Sequence, residues 1–241
     1  MLRRDILAWS AGALGAAALS SLSPRTARAG ACAEPGFMPV YRTAAGARLG
    51  RTGAVLLGVD MSFGGGTREP FAGRYSMTVD DAPVRVHASP LAPGLVRLIP
   101  NRFVAGAGVV TGPAGELRVT WVDAQEAAPA PCFVRSVEMY RNEGSQEPYS
   151  PPTWGLRATL RDPLPGSVVG VVVAPAASGS RYGLFAERSG DRMQGLYHSP
   201  GRCQAELSDV NPPGTGSRVR LACVGQDGQV SVRSNDVAVR D

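Results

Sequence analysis

Apolar and polar residues alternate along much of the chain. The alternation predicts short strands that bury one face and expose the other, as antiparallel sheets do. No segment shows the 3.6-residue spacing of an amphipathic helix, and 30 glycines with 20 prolines interrupt the pattern at short intervals. In the first half, the alternating apolar residues are Val55, Leu57, Val59 and Met61, then Tyr75, Met77 and Val79, then Val84 and Val86, then Val96 and Leu98, and finally Leu117, Val119 and Trp121.

A second set of strands is predicted in the latter half, at residues 133–140, 154–160, 168–173, 181–185, 203–207, 219–224 and 230–239. Residues 168–173 read VVGVVV, and this density of β-branched side chains indicates a strand buried on both faces. Further on, Asp227-Gly228 between two apolar runs is a strong hairpin signal. The fold class predicted from both sets is all-β.

The first 29 residues have the organisation of an export signal. A charged start at Arg3-Arg4 precedes an uncharged stretch from Ala8 to Leu22 and a small-residue cleavage motif at Ala27-Arg28-Ala29. The stretch is shorter than the roughly 20 residues of a membrane span, which favours a removed signal over an anchor. The arginine pair resembles a twin-arginine signal, and an ordinary secretory signal is the alternative. A lipid anchor on Cys32 is a third possibility.

Much of the net positive charge lies in the predicted signal, and the rest of the chain is nearly neutral. The formal charge of +5 comes from 25 basic and 20 acidic residues, and the leader contains four of the arginines and one aspartate. The remaining 21 basic and 19 acidic residues form no basic run, which argues against a nucleic-acid partner. Every basic residue is arginine.

The domain organisation follows from these patterns. Residues 1–29 are the predicted signal, and residues 30–123 are a first β domain. Residues 124–131 are rich in alanine and proline and have almost nothing to bury, so they are predicted to be a linker. Residues 132–241 form the second domain.

The end of the chain resembles a known fold family. The run from Leu221 to Ser231, followed by Ser234-Asn235 and a final Val-x-Val, is similar to the last two strands of immunoglobulin-like or fibronectin-III-like domains of exported bacterial proteins. A weaker likeness covers Val96-x-Leu98-x-Pro100. The resemblance implies two immunoglobulin-like β-sandwiches in tandem, and it implies no catalytic residues.

Four cysteines in an exported chain favour disulfide bonds: Cys32, Cys132, Cys203 and Cys223. Three pairings are possible. We expect the local pair Cys203–Cys223, since both lie in predicted strands, with Cys32–Cys132 as its complement. The alternative is that one or two thiols are simply buried.

Little in the chain points to catalysis. His198-Ser199 lacks the context of a nucleophile elbow and is predicted to be a polar loop. His87 is predicted to be a solvent-facing strand residue, and Asp80-Asp81 a turn. Two histidines, neither near a cysteine pair, make a metal site improbable. We therefore expect no cofactor, no metal and no catalytic residues.

The candidate binding surface is the segment from Glu138 to Trp154, which contains the aromatic residues Tyr140, Tyr149 and Trp154. Aromatic side chains in loops anchor many interfaces, although these could equally pack on their own domain. The sequence thus predicts a non-catalytic binding or structural module of the bacterial periplasm or cell surface. Its partner would be another envelope protein or a glycan. The alternatives are an exported hydrolase-type enzyme and a lipid-anchored envelope protein.

Overall fold

A computed structural model of the chain describes residues 35–63, 71, 73–125, 128–142, 153–177, 182–189, 192–197 and 214–241. Every regular element among these residues is a strand. The all-β fold class is therefore confirmed. The segment Glu34–Asp241 forms one compact unit.

The first module, β1 to β9, consists of two sheets. Its strands are β1 (Pro35–Tyr41), β2 (Arg48–Leu49), β3 (Val55–Phe63), β4 (Ser76–Val79), β5 (Ala82–Val84), β6 (Val86–Ala92), β7 (Leu95–Pro100), β8 (Gly106–Gly112) and β9 (Gly115–Trp121). One sheet has the order β1-β3-β7-β6 and the other β2-β9-β8-β4-β5. All pairs are antiparallel except β2 with β9.

This strand order is that of an immunoglobulin-like sandwich. With β1 and β3 as strands A and B, β4 and β5 as C and C′, and β6 to β9 as D to G, the two sheets read A-B-E-D and G-F-C-C′. Several of the alternating residues that were predicted to face inward do so, because one buried cluster between the sheets contains Val55, Leu57, Met77, Leu117 and Trp121.

Strand β8 was not predicted, and its glycines explain both its weak signal and its packing. A Cβ atom on Gly108 would lie 2.3 Å from the Trp121 ring, and one on Gly112 would lie 2.3 Å from the Tyr75 ring. These two positions therefore leave room for aromatic side chains. The missing side chains at Gly108 and Gly112 weaken the apolar alternation of β8 and also make space for the aromatic rings of the core.

The second module, β10 to β16, forms a single sheet that closes on itself. Its strands are β10 (Val134–Asn142), β11 (Thr153–Leu160), β12 (Val168–Pro175), β13 (Leu184–Ser189), β14 (Arg192–Tyr197), β15 (Arg218–Gly225) and β16 (Val237–Arg240). The order is β10-β11-β14-β13-β12-β15-β16. Parallel pairing of β10 with β16 completes the ring.

The predicted final strand at 230–239 is shorter in the structure. The backbone N–H groups of Leu221 and Cys223 donate to the hydroxyls of Ser234 and Ser231, at 3.0 and 2.9 Å. These hydroxyls accept hydrogen bonds that a regular partner strand would accept with its carbonyls. Regular pairing therefore resumes only at Val237. Strand β14 was not predicted, and β6 was predicted only at its start, around Val86 and His87. The pair Phe103-Val104, which was also expected in the alternating set of the first half, lies outside any strand. The predicted strand at 203–207 lies outside the described residues.

Strand β12 is buried on both faces, as VVGVVV predicted. Val171 and Val173 belong to the core of the second module. Val172, on the opposite face, packs in a separate cluster with Leu56 and Leu95 of the first module and with Ala222 and Val224 of β15. The two modules therefore contact each other sheet face against sheet face.

Candidate functional site

The Asp-Gly hairpin turn of the second module docks on the first module. The turn closes through a hydrogen bond from Gly225 N to Gln229 O of 2.9 Å, as the sequence predicted. Its carbonyl groups accept hydrogen bonds from the other module. Thr43 Oγ1 donates to Gln226 O at 2.7 Å, and Ala54 N donates to Asp227 O at 2.6 Å.

Gly228 is required in this turn for two reasons. Its φ of +76° lies in the left-handed region, and a Cβ atom would lie 3.2 Å from the Ala54 Cβ. Loops at the end of a sandwich are common binding loops. Here the turn that follows β15 is occupied by contacts within the chain itself.

Arg42, directly after β1, links carboxylates of both modules. Its guanidinium lies 2.7 Å from Asp60 Oδ1 and 2.7 Å from Glu187 Oε1. It also donates to Val59 O at 3.2 Å. Gly58 provides the space, because a Cβ atom there would lie 2.4 Å from Arg42 Nε. Arg42 therefore fixes the edge of the contact between the modules by charge.

The structure corrects the expected disulfide pairing. Cys223 is bonded to Cys132 and not to Cys203, with a Cα–Cα distance of 5.6 Å. The local pairing was wrong because sequence proximity does not report which strands face each other. Cys132 precedes β10, and its side chain enters the same buried core as Cys223 of β15. Cys32 and Cys203 lie outside the described residues.

The candidate binding segment is only partly described. Tyr140 lies in β10 and its backbone pairs with Gly155, while Trp154 of β11 pairs with Arg141 on one side and Tyr197 of β14 on the other. Tyr149 and the side chains of Tyr140 and Trp154 lie outside the described residues. The structure therefore brings two ends of the segment onto neighbouring strands, and the binding role stays a prediction.

The other residues with chemical potential are dispersed. His87 is exposed in β6, as predicted. Asp80 and Asp81 form the β4–β5 turn with φ values of 47° and 64°, and Asp80 Oδ1 accepts from Ala107 N at 2.9 Å. That is the predicted turn role, with both residues in the conformation of a type I′ hairpin. His198 and Ser199 lie outside the described residues.

Among the residues that the structure describes, no three acidic, histidine or cysteine side chains come close enough to hold a metal ion. The described part of the chain also contains no helix that could cross a membrane.

Three ionisable groups are perturbed by their surroundings. Burial, with a contribution from nearby Tyr75, raises the pKa of Tyr41 to about 12, and burial also raises the pKa of Tyr75. The Tyr41 hydroxyl donates across the sandwich to Gly115 O at 3.1 Å. A hydrogen bond from Arg220 lowers the pKa of Asp236. Each shift has a structural cause: burial for the two tyrosines and the hydrogen bond from Arg220 for Asp236.

One cavity of 280 Å³ lies at an end of the first module. It is lined by the turn before β3, by the connection between β7 and β8, and by the last residue of β9. Sequence analysis missed this place, because its residues come from three separated segments without a motif.

Comparison with known protein families and with curated proteins finds no match. Among solved structures, the chain is similar to one from the crystal structure of Dpr2 Ig1-Ig2 in complex with DIP-Theta Ig1-Ig3. The sequence identity is 8%, the alignment covers 84% of this chain and 98% of the other, and the TM-score is 0.22. A likeness of this degree bears on neither fold nor function.

Proposed function

We propose that this chain is an exported, non-catalytic module of the bacterial envelope that binds a protein or glycan partner through the segment Glu138–Trp154. The observation that carries the proposal is the docking of the two β modules into one compact unit through the turn at Gln226–Gln229. A scaffold of packed strands presents its remaining loops at defined positions, which is how such folds support recognition.

Export is supported by two independent features. The leader pattern with Arg3-Arg4 precedes the first strand. The buried bond between Cys132 and Cys223 belongs to the kind of crosslink that persists in oxidising compartments. Together they favour the periplasm or the cell surface as the place of function.

Export can be tested by fractionating a bacterial host that expresses the full chain. We expect a shortened protein in the periplasmic or extracellular fraction. Substitution of Arg3 and Arg4 by lysine should leave the precursor in the cytoplasm if the route is the twin-arginine one, with Arg25→Lys as a matched control that changes nothing. Retention of the unprocessed wild-type chain in the cytoplasm would refute export.

The binding role can be tested by capture of envelope extracts and a glycan array with the wild-type chain, Tyr149→Ala and Trp154→Ala. We expect at least one reproducible partner that both variants lose. Phe133→Ala is the matched control, because Phe133 is an aromatic residue of the same module that is 48% exposed and lies outside the segment. Equal capture by all four proteins would remove the segment from consideration.

A further inference from the structure

The geometry points to a binding site for a small carboxylate with an apolar body, in the 280 Å³ cavity at the end of the first module. This inference is independent of the segment Glu138–Trp154 and goes beyond the function proposed above. It depends on the placement of Arg51, Arg102 and Phe103.

Arg51 lies beside the cavity and is already in contact with two neighbouring side chains. Its guanidinium carbon lies 4.6 Å from the centre of the Phe103 ring, within the range of a cation–π contact. One guanidinium nitrogen lies 2.9 Å from Asp123 Oδ1. The backbone is also fixed, because Arg51 N donates to Ala124 O at 2.8 Å. A guanidinium has five N–H donors, so one ion pair does not exhaust it.

The wall of the cavity combines polar and apolar side chains. Arg51, Arg102 and Asn101 supply polar groups, whereas Phe103, Ile99 and Trp121 supply apolar surface. The residues that line the cavity include two arginines and no acidic side chain. Asp123 pairs with Arg51 from outside the set of lining residues and offsets only one of these charges. The wall therefore favours an anion over a cation.

Among anions, the side chains of the wall favour a carboxylate with an apolar body. Arginine binds planar carboxylates through paired N–H donors, and the exposed ring of Phe103 offers an apolar contact beside that charge. Phe103 is 45% exposed, so its ring is accessible to a ligand in the cavity. A volume of 280 Å³ is just below the usual range of about 300–1,000 Å³ for small-molecule sites, which limits the ligand to a small one. A small ligand with a carboxylate and an apolar ring would contact both the arginines and the Phe103 ring.

The test is an amide NMR titration of the full chain with benzoate, using two matched probes. Benzamide has the ring without the charge, and acetate has the charge without the ring. We expect benzoate to shift the amide signals of Gly53 and Asn101 and the indole N–H of Trp121, which lies 3.5 Å from Gly53 O. Benzamide and acetate should each bind about tenfold more weakly, the factor for losing one favourable contact of this strength.

Two variants separate the cavity from a general surface effect. The double change Arg51→Gln with Arg102→Gln should weaken benzoate about tenfold, while Arg161→Gln, which lines a separate cavity of 230 Å³, should change nothing. Unchanged spectra away from the cavity will show that the variants fold. Equal binding of benzoate and benzamide, shifts centred elsewhere, or no shift up to the solubility limit of benzoate would each overturn the inference.

Discussion

Arg42 Nη1 lies 2.7 Å from Glu187 Oε1, and the two residues belong to different modules. The arginine side chain is 16% exposed and the glutamate side chain is 49% exposed, so the pair lies at the rim of the contact. The apolar residues Leu56 and Val172 form part of its interior. The contact between the modules therefore combines an ion pair at its rim with apolar packing in its interior.

The worth of this ion pair can be measured with a double-mutant cycle. Arg42→Met, Glu187→Gln and the double variant should give a coupling free energy of about 0.5–1 kcal/mol by urea denaturation, because Glu187 is half solvated. The coupling free energy should decrease when the salt concentration is raised to 1 M, because the screening length is then about 3 Å. A coupling that is indifferent to salt would contradict the electrostatic reading.

Gly58→Ala should weaken the same contact between the modules, because it displaces the Arg42 side chain. Its Cβ atom would lie 2.4 Å from Arg42 Nε and 2.9 Å from Arg42 Cγ, so the arginine would have to leave its position. We expect a loss of about 1–2 kcal/mol in the free energy of unfolding. Gly166→Ala is the matched control, because nothing lies within 4 Å of a Cβ there. Equal stability of the two variants would refute the role of Gly58.

Leu56→Ala should cost about as much as Leu57→Ala, although the two side chains lie on opposite faces of β3. Both are fully buried, Leu57 in the core of the first module and Leu56 in the contact between modules. Each loss should be about 2–5 kcal/mol in urea denaturation. If Leu56→Ala were nearly neutral, the face of β3 that carries Leu56 would be solvated and the contact between modules absent.

Mass spectrometry of the non-reduced protein should find Cys132 and Cys223 in one crosslinked peptide pair. The remaining cysteines are Cys32 and Cys203, and we expect these two to be bonded to each other. The bond between Cys132 and Cys223 spans a sequence separation of 91, and on a chain-entropy account it stabilises the fold by about 4–5 kcal/mol. Detection of Cys203 bonded to Cys223 would contradict the structure.

Tyrosine ionisation should destabilise the protein at high pH. Because burial raises the pKa of Tyr41 in the folded state above its ordinary value of 10.0, to about 12, the unfolded chain ionises first. The contribution of Tyr41 to the free energy of unfolding should be constant below pH 10 and fall as the pH rises from 10 to 12. Tyr41→Phe should show a shallower fall in urea denaturation, with Tyr75 contributing the rest. Identical pH profiles would refute the assignment.

Local patterns in the sequence predicted those features that depend on neighbouring residues. Alternation identified the inward face of β3 and β9, and Asp227-Gly228 identified a hairpin turn whose closing hydrogen bond is present. The density of valines identified β12 as a strand buried on both faces. In each case the residues that determine the structural feature are close together in the sequence, so a local pattern is enough to predict it.

Features that depend on distant residues were missed. Alternation marks Leu56 as solvent-facing, because the strands that cover it belong to the other module. The pairing of Cys132 with Cys223 requires knowledge of which strands face each other. The cavity beside Arg51 and Phe103 has no motif, since its wall comes from separate connections. The roles expected for Tyr140, Tyr149 and Trp154 stay predictions.

The ring of strands in the second module depends on one short strand for its closure. The four residues of β16 pair with both β10 and β15, so this strand covers an edge on each side. Removal of β16 would expose the backbone N–H and C=O groups of two neighbouring strands at once, and such open edges are templates for aggregation.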